Sequence, residues 1–126
     1  MLKSILIVGV GSFVGGALRY AISCLMKGGC GFSFPMGTLV VNLLGCLLIG
    51  VIYALLSKSC INSHHLLLLL TTGFCGGFTT FSTFANECLQ MLHSDNYSGV
   101  AIYVGVSVVG GIALAGLGYW LARVML

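Results

Sequence analysis

Four apolar runs, each long enough to cross a bilayer, occupy most of this 126-residue chain. A spanning helix needs ~20 residues at ~1.5 Å rise to traverse ~30 Å of hydrocarbon, and the runs fall at about residues 4–26, 38–56, 65–92 and 100–124. The charge count points the same way. Five Lys and Arg and two acidic residues make the chain 6% charged against 59% hydrophobic, where a soluble domain carries about 25% charged residues. A water-exposed surface cannot be built from so few charges, which excludes a soluble enzyme, a disordered regulator and a nucleic-acid binder. Lys3, Arg19, Lys27, Lys58 and Arg123 are scattered and form no stripe that could follow a phosphate backbone. The expected fold is an all-α integral membrane protein, a single four-helix domain set in a lipid bilayer.

Glycine and proline punctuate the spans. Lys27-Gly28-Gly29-Cys30-Gly31 ends the first, Pro35 stands where the second begins, and Ser57-Lys58-Ser59 closes it. The third starts near His64-His65, neighbours that point in different directions on a helix and suit the membrane interface better than a metal site. The N-terminal run opens like a signal peptide but lacks an A-x-A-like cleavage site, so it is read as a retained first span. The six cysteines, Cys24, Cys30, Cys46, Cys60, Cys75 and Cys88, show no C-x-x-C pairing and are read as small hydrophobes.

An even number of spans puts both termini on one side, so Lys3, Lys58 and Arg123 face Lys27 and Arg19 across the membrane. Three against two is almost no bias, and the positive-inside rule then permits insertion in both orientations. Four short helices are also too thin a bundle to enclose a polar path and shield it from lipid. A homo-oligomer is expected, with an antiparallel dimer of inverted copies as the arrangement that charge counting allows.

Small residues recur at Gly11-x-x-x-Gly15, Gly73-x-x-x-Gly77 and Gly111-x-x-x-Ala115, spacings that fit close helix packing. The third span goes further. Thr71-Thr72-Gly73-Phe74-Cys75-Gly76-Gly77-Phe78-Thr79-Thr80-Phe81-Ser82-Thr83-Phe84 sets glycines and hydroxyls together in mid-membrane. Gly76-Gly77 costs roughly 2 kcal/mol of helix propensity relative to two alanines, and the β-branched pair that follows adds to it. A break is expected there; the alternative is a glycine-mediated crossing of unbroken helices. Carbonyls freed at such a break can coordinate a cation.

Each remaining polar residue falls on a narrow line. Thr80, Thr83 and Glu87 recur at i, i+3, i+7, with Phe81 and Phe84 beside them; Thr38 and Asn42, and Tyr103 and Ser107, stand at i, i+4. Hydroxyl and amide groups are neutral donors that suit a small anion shedding its water, and aromatic rings are positive at their edges. Arg19 and Glu87 are the ionisable residues within the spans, functional candidates on that ground. Arg19 either snorkels or adds positive potential at a pore mouth; Glu87 either lines a vestibule or pairs with Arg19.

The segments Gly37-Thr38-Leu39-Val40-Val41-Asn42-Leu43-Leu44-Gly45 and Thr72-Gly73-Phe74-Cys75-Gly76-Gly77-Phe78-Thr79-Thr80-Phe81-Ser82-Thr83-Phe84, together with Gly16-Ala17-Leu18-Arg19-Tyr20, resemble the Fluc (CrcB) fluoride channel family over the whole chain. The resemblance implies an antiparallel, dual-topology homodimer in the bacterial inner membrane. Its two pores would export cytoplasmic fluoride passively and give fluoride resistance. It implies a sodium ion at the dimer centre, held by the backbone carbonyls of Gly76 and Thr79. It also implies pore roles for Asn42, Phe81 and Phe84, and a hydroxyl track of Thr38, Thr83, Tyr103 and Ser107, with Thr80 on the same polar face. Arg19 matches the family arginine, and Glu87 an acidic position whose role stays open. No G-x-x-x-x-G-K-[ST] nucleotide site is present.

The competing reading is a small proton-coupled multidrug exporter, another four-span, dual-topology class. It needs a titratable carboxylate deep in the bundle, whereas the first span here carries Arg19. An assembly or anchor subunit, a third class, would need neither an aligned polar track nor a break.

Overall fold

The computed structural model describes residues 1–27 and 34–126. The expected glycine loop after Lys27, and Cys30 with it, lies outside the described residues. Among the described residues, four helices are long and apolar enough to cross a membrane: Leu2–Lys27, Met36–Ser57, His64–His93 and Tyr97–Met125. Each runs past the limits expected from sequence by less than a turn. The first is α1 and the second α2. The third comprises α3 (His64–Leu68), a π-helical stretch (Leu69–Cys75), α4 (Gly76–Phe78) and α5 (Phe81–His93). The fourth comprises α6 (Tyr97–Gly105), a second π-helical stretch (Val106–Gly110) and α7 (Gly111–Met125).

Glycine sets how closely these helices approach. A methyl group at Gly11 or Gly15 would lie within 3 Å of backbone atoms of Leu69 or Phe74, and one at Gly77 within 3 Å of Ser12. The two predicted glycine pairs, one on α1 and one on the third span, therefore face each other. Between α2 and α7 the same device recurs: Gly50 lies against the Ala115 carbonyl and Gly118 against the Leu47 carbonyl. Without a hydrophobic drive between helices in lipid, such backbone proximity supplies the dispersion contacts that hold them. Two buried clusters complete the packing. One joins Leu39, Met91 and Tyr103, with Phe84 against it; the other joins Ile52, Ile61 and Cys75.

The third span is broken, but not at the glycines. Gly76 and Gly77 remain helical, and the chain turns extended at Thr79 (φ −89°, ψ 161°) and Thr80 (φ −150°, ψ 120°). Propensity marks the whole stretch 76–80 as weak and, being a local quantity, cannot choose a residue within it. Tertiary contacts make the choice: Asn42 takes both backbone polar groups of Thr80, and the Thr80 hydroxyl caps α5 by accepting from the Thr83 N–H at 3.2 Å. Cys24, Cys46, Cys60, Cys75 and Cys88 are free thiols.

Candidate functional site

Asn42 projects from the second turn of α2 toward the break. Its Nδ2 donates to the Thr80 carbonyl at 3.0 Å and its Oδ1 accepts from the Thr80 N–H at 2.8 Å. Gly45, one turn further along α2, lets Thr79 pack directly on the helix: a methyl there would overlap the Thr79 side chain. The extended segment is thus seated on α2 by one amide and one missing Cβ.

The break redistributes carbonyls. In an unbroken helix the Thr80 N–H would reach Gly76 and the Thr83 N–H would reach Thr79. Here these donors go to Asn42 and to the Thr80 hydroxyl, so Gly76 and Thr79 lose their helical partners. The Gly77 carbonyl is taken by Arg19, whose Nε donates to it at 3.1 Å. Arg19 therefore neither reaches the interface alone nor pairs with Glu87. Ser12, a residue that no motif or spacing singles out, adds a second α1 contact to this span, its Oγ donating to the Gly73 carbonyl at 3.3 Å. A small cleft of about 260 Å³ lies beside the break, lined by Gly45, Cys46, Thr71, Cys75, Gly76 and Thr79, with Ile49.

Glu87 gathers three spans. One carboxylate oxygen accepts from the Thr38 hydroxyl and the other from the Tyr103 hydroxyl at 3.4 Å. Thr38, Thr83 and Glu87 line an open cavity of about 1110 Å³, along with Ser23 and Lys27 of α1 and Gln90 of α5. Of the two readings left open for Glu87, the cavity wall is the observed one. Its partners come from residues 49 and 16 positions away, beyond the reach of any i, i+4 argument.

Tyr103 in turn leads to an aromatic group on α5. The Phe84 ring meets Tyr103 edge-on, centroids 4.9 Å apart, and Phe81 lies 5.8 Å from Phe84 at a tilt of 43°. Tyr103 is fully buried, whereas Phe81 is 79% exposed. The Thr80 hydroxyl donates to Thr83 Oγ1 at 3.1 Å, so both threonines are engaged with each other. Ser107 sits in the second π-helical stretch, its Oγ buried and without a hydrogen-bond partner among the described residues. Sequence spacing pairs Tyr103 with Ser107; the structure instead joins Tyr103 to Glu87 and leaves Ser107 open. Both π-helical stretches adjoin candidate residues, a common association at functional sites that helical periodicity does not signal.

A family model described as CrcB-like protein, Camphor Resistance (CrcB), matches residues 6–119. A protein of Phocaeicola vulgatus named fluoride-specific ion channel FluC is 46% identical over 122 residues, covering 97% of this chain and 100% of its own length. Proteins of the same name from Leptospira interrogans and Chlorobium phaeobacteroides are 44% and 43% identical, covering 96% and 95% of this chain and 95% and 93% of their own. With its four spans, broken third helix and near end-to-end match, this chain belongs to the CrcB-like family.

Proposed function

We propose that this protein is a fluoride-selective channel, not an enzyme, giving passive export of fluoride across a bacterial inner membrane. The observation that carries the reading is Ser107. A buried hydroxyl without a partner costs roughly 1–3 kcal/mol, and this one stands four residues beyond Tyr103, whose ring packs against Phe84. Fluoride is small and strongly hydrated, so a narrow line of neutral donors and ring edges can replace its water without the tight binding that a full charge would cause. Thr38, Thr83 and Glu87 form the approach from the cavity, Phe81 and Phe84 the ring-edge ligands, and Asn42 the amide on the path. The relatives' names support the ion. The exporter reading finds no support among them.

The channel works as an antiparallel, dual-topology homodimer. Thr72, Ser82 and Asn86 of the third span are exposed in a single copy, as is Phe81, and lipid is a poor cover for polar side chains in mid-membrane. The near-even division of the five cations, three against two, supports insertion both ways. The carbonyls of Gly76 and Thr79 fit a resident sodium ion: both are freed from helical bonding, and oxygen donors suit a hard cation. When bound, the ion supplies positive charge that offsets the cost of an anion in a dry pore.

Purified Ser107→Ala in liposomes tests the carrying observation. Fluoride efflux is expected to fall about tenfold with the melting temperature unchanged or raised. Wild-type flux with a lowered melting temperature would assign Ser107 to packing and remove it from the pore.

A further inference from the structure

The whole chain has two acidic residues, Glu87 and Asp95. Both lie toward the end of the bundle where the third span finishes, since α5 ends at His93. The opposite end carries Lys3, Lys58 and Arg123, with His64 and His65 at the start of the third span, and no acidic side chain. Packing of α2 on α7 brings two of these cations to one corner. Lys58 Nζ donates to the Arg123 carbonyl at 2.6 Å. The Arg123 guanidinium donates to the Tyr119 hydroxyl at 3.0 Å and sits 5.7 Å from the centre of that ring.

Helix capping explains only part of this. The Lys58 ammonium does complement the carboxyl end of α7. Yet an ammonium has three donors and a guanidinium five, and the described bonds use one of each. The Lys58 ammonium is anchored on the Arg123 backbone and the guanidinium on Tyr119 one turn earlier. Two cationic groups with open donors thus stand at one corner where no acidic side chain answers them, and such a corner attracts an anion. The corner is at the ends of two membrane spans, at headgroup depth, beside Trp120, which is 58% exposed, and interfacial aromatics mark that level. Every phospholipid presents a phosphodiester at that depth, but only in an acidic lipid is its charge not offset by an ammonium in the same headgroup, which makes the acidic lipid the anion this corner favours.

We propose that Lys58 and Arg123, with the Tyr119 hydroxyl, form a binding site for the headgroup of an anionic phospholipid at the α2–α7 corner. The guanidinium takes two phosphate oxygens in its planar fork and the ammonium a third contact as a point charge. Nothing in this depends on which ion the protein conducts, so the site stands or falls separately from the channel reading.

Trp120 is the chain's single tryptophan and lies three residues before Arg123, which makes it a native reporter. The full-length protein is reconstituted in phosphatidylcholine with increasing phosphatidylglycerol, one or the other carrying brominated acyl chains that quench indole fluorescence. At about 1 kcal/mol per basic residue near the surface, phosphatidylglycerol should be enriched around Trp120 between about five- and thirtyfold over phosphatidylcholine. K58Q/R123Q should bring the ratio to about one, and the charge-preserving K58R/R123K should keep a preference, separating charge from any loss of fold. Equal quenching by the two lipids in the wild-type protein, or an unchanged preference in K58Q/R123Q, would overturn the proposal. So would loss of the preference on adding inorganic phosphate at constant ionic strength, which would assign the corner to a free oxyanion.

Discussion

Asn42 pairs with Thr80 as one strand residue pairs with another: the amide gives and takes one hydrogen bond with the same backbone unit, at 3.0 and 2.8 Å. A side chain thereby supplies what a helix would otherwise have supplied to residues in the membrane interior, where an unpaired amide costs several kcal/mol. Asn42→Asp keeps the acceptor and sets a second acceptor against the Thr80 carbonyl. Fluoride efflux should drop at least tenfold, and thermal stability should fall by about 1–3 kcal/mol, read from efflux and from melting in detergent. Retention of both would show that the break holds without the amide.

Arg19 bonds the Gly77 carbonyl, a charge-assisted contact worth about 1.5–3 kcal/mol. Arg19→Gln, too short to reach as the guanidinium does, should lower the melting temperature and cut flux together. Arg19→Lys should recover part of each. Flux lost with stability fully kept would assign the charge to the ion path, not to the break.

Phe81 is 79% exposed in one copy while Phe84 is packed on Tyr103. Phe81→Ile should therefore leave the fold of a single subunit intact, within about 0.5 kcal/mol, while fluoride flux falls at least tenfold. An unaltered flux would remove the ring edge from the pore. A collapsed size-exclusion profile would place Phe81 in assembly instead.

Gly50 faces the Ala115 carbonyl closely enough that any Cβ overlaps it, whereas Gly9 has open space around it. Gly50→Val should cost at least about 1–3 kcal/mol through overpacking, seen as a lowered melting temperature or lost monodispersity. Gly9→Ala should lower neither and should raise the melting temperature slightly through helix propensity. Equal behaviour of the two variants would contradict the α2–α7 approach.

The spans were legible because hydropathy over ~20 residues is a local property of the chain, and the small-residue spacing of Gly11 and Gly15 and of Gly73 and Gly77 marked them for close packing, though that they face each other is seen only in the packed helices. The break was legible as an event but not as a position. Gly76-Gly77 announced weak helix propensity, yet the decision between residues 76 and 80 rests on Asn42, which is 38 positions away in sequence. The same limit applies to Glu87, bonded to Thr38 and Tyr103 on other spans, and to Arg19, whose acceptor is a backbone carbonyl and so leaves no mark on side-chain patterning. Ser107 was visible as a hydroxyl on a helical line, but its want of a partner exists only once the helices are packed.

Paired efflux of fluoride and chloride from liposomes containing the purified wild-type protein tests the central claim most directly. The account predicts fluoride efflux far above that of empty liposomes and chloride efflux indistinguishable from it. Fluoride efflux equal to that of empty liposomes would contradict the channel, and chloride passing as fast as fluoride would contradict a path built of neutral donors and ring edges for the smaller ion.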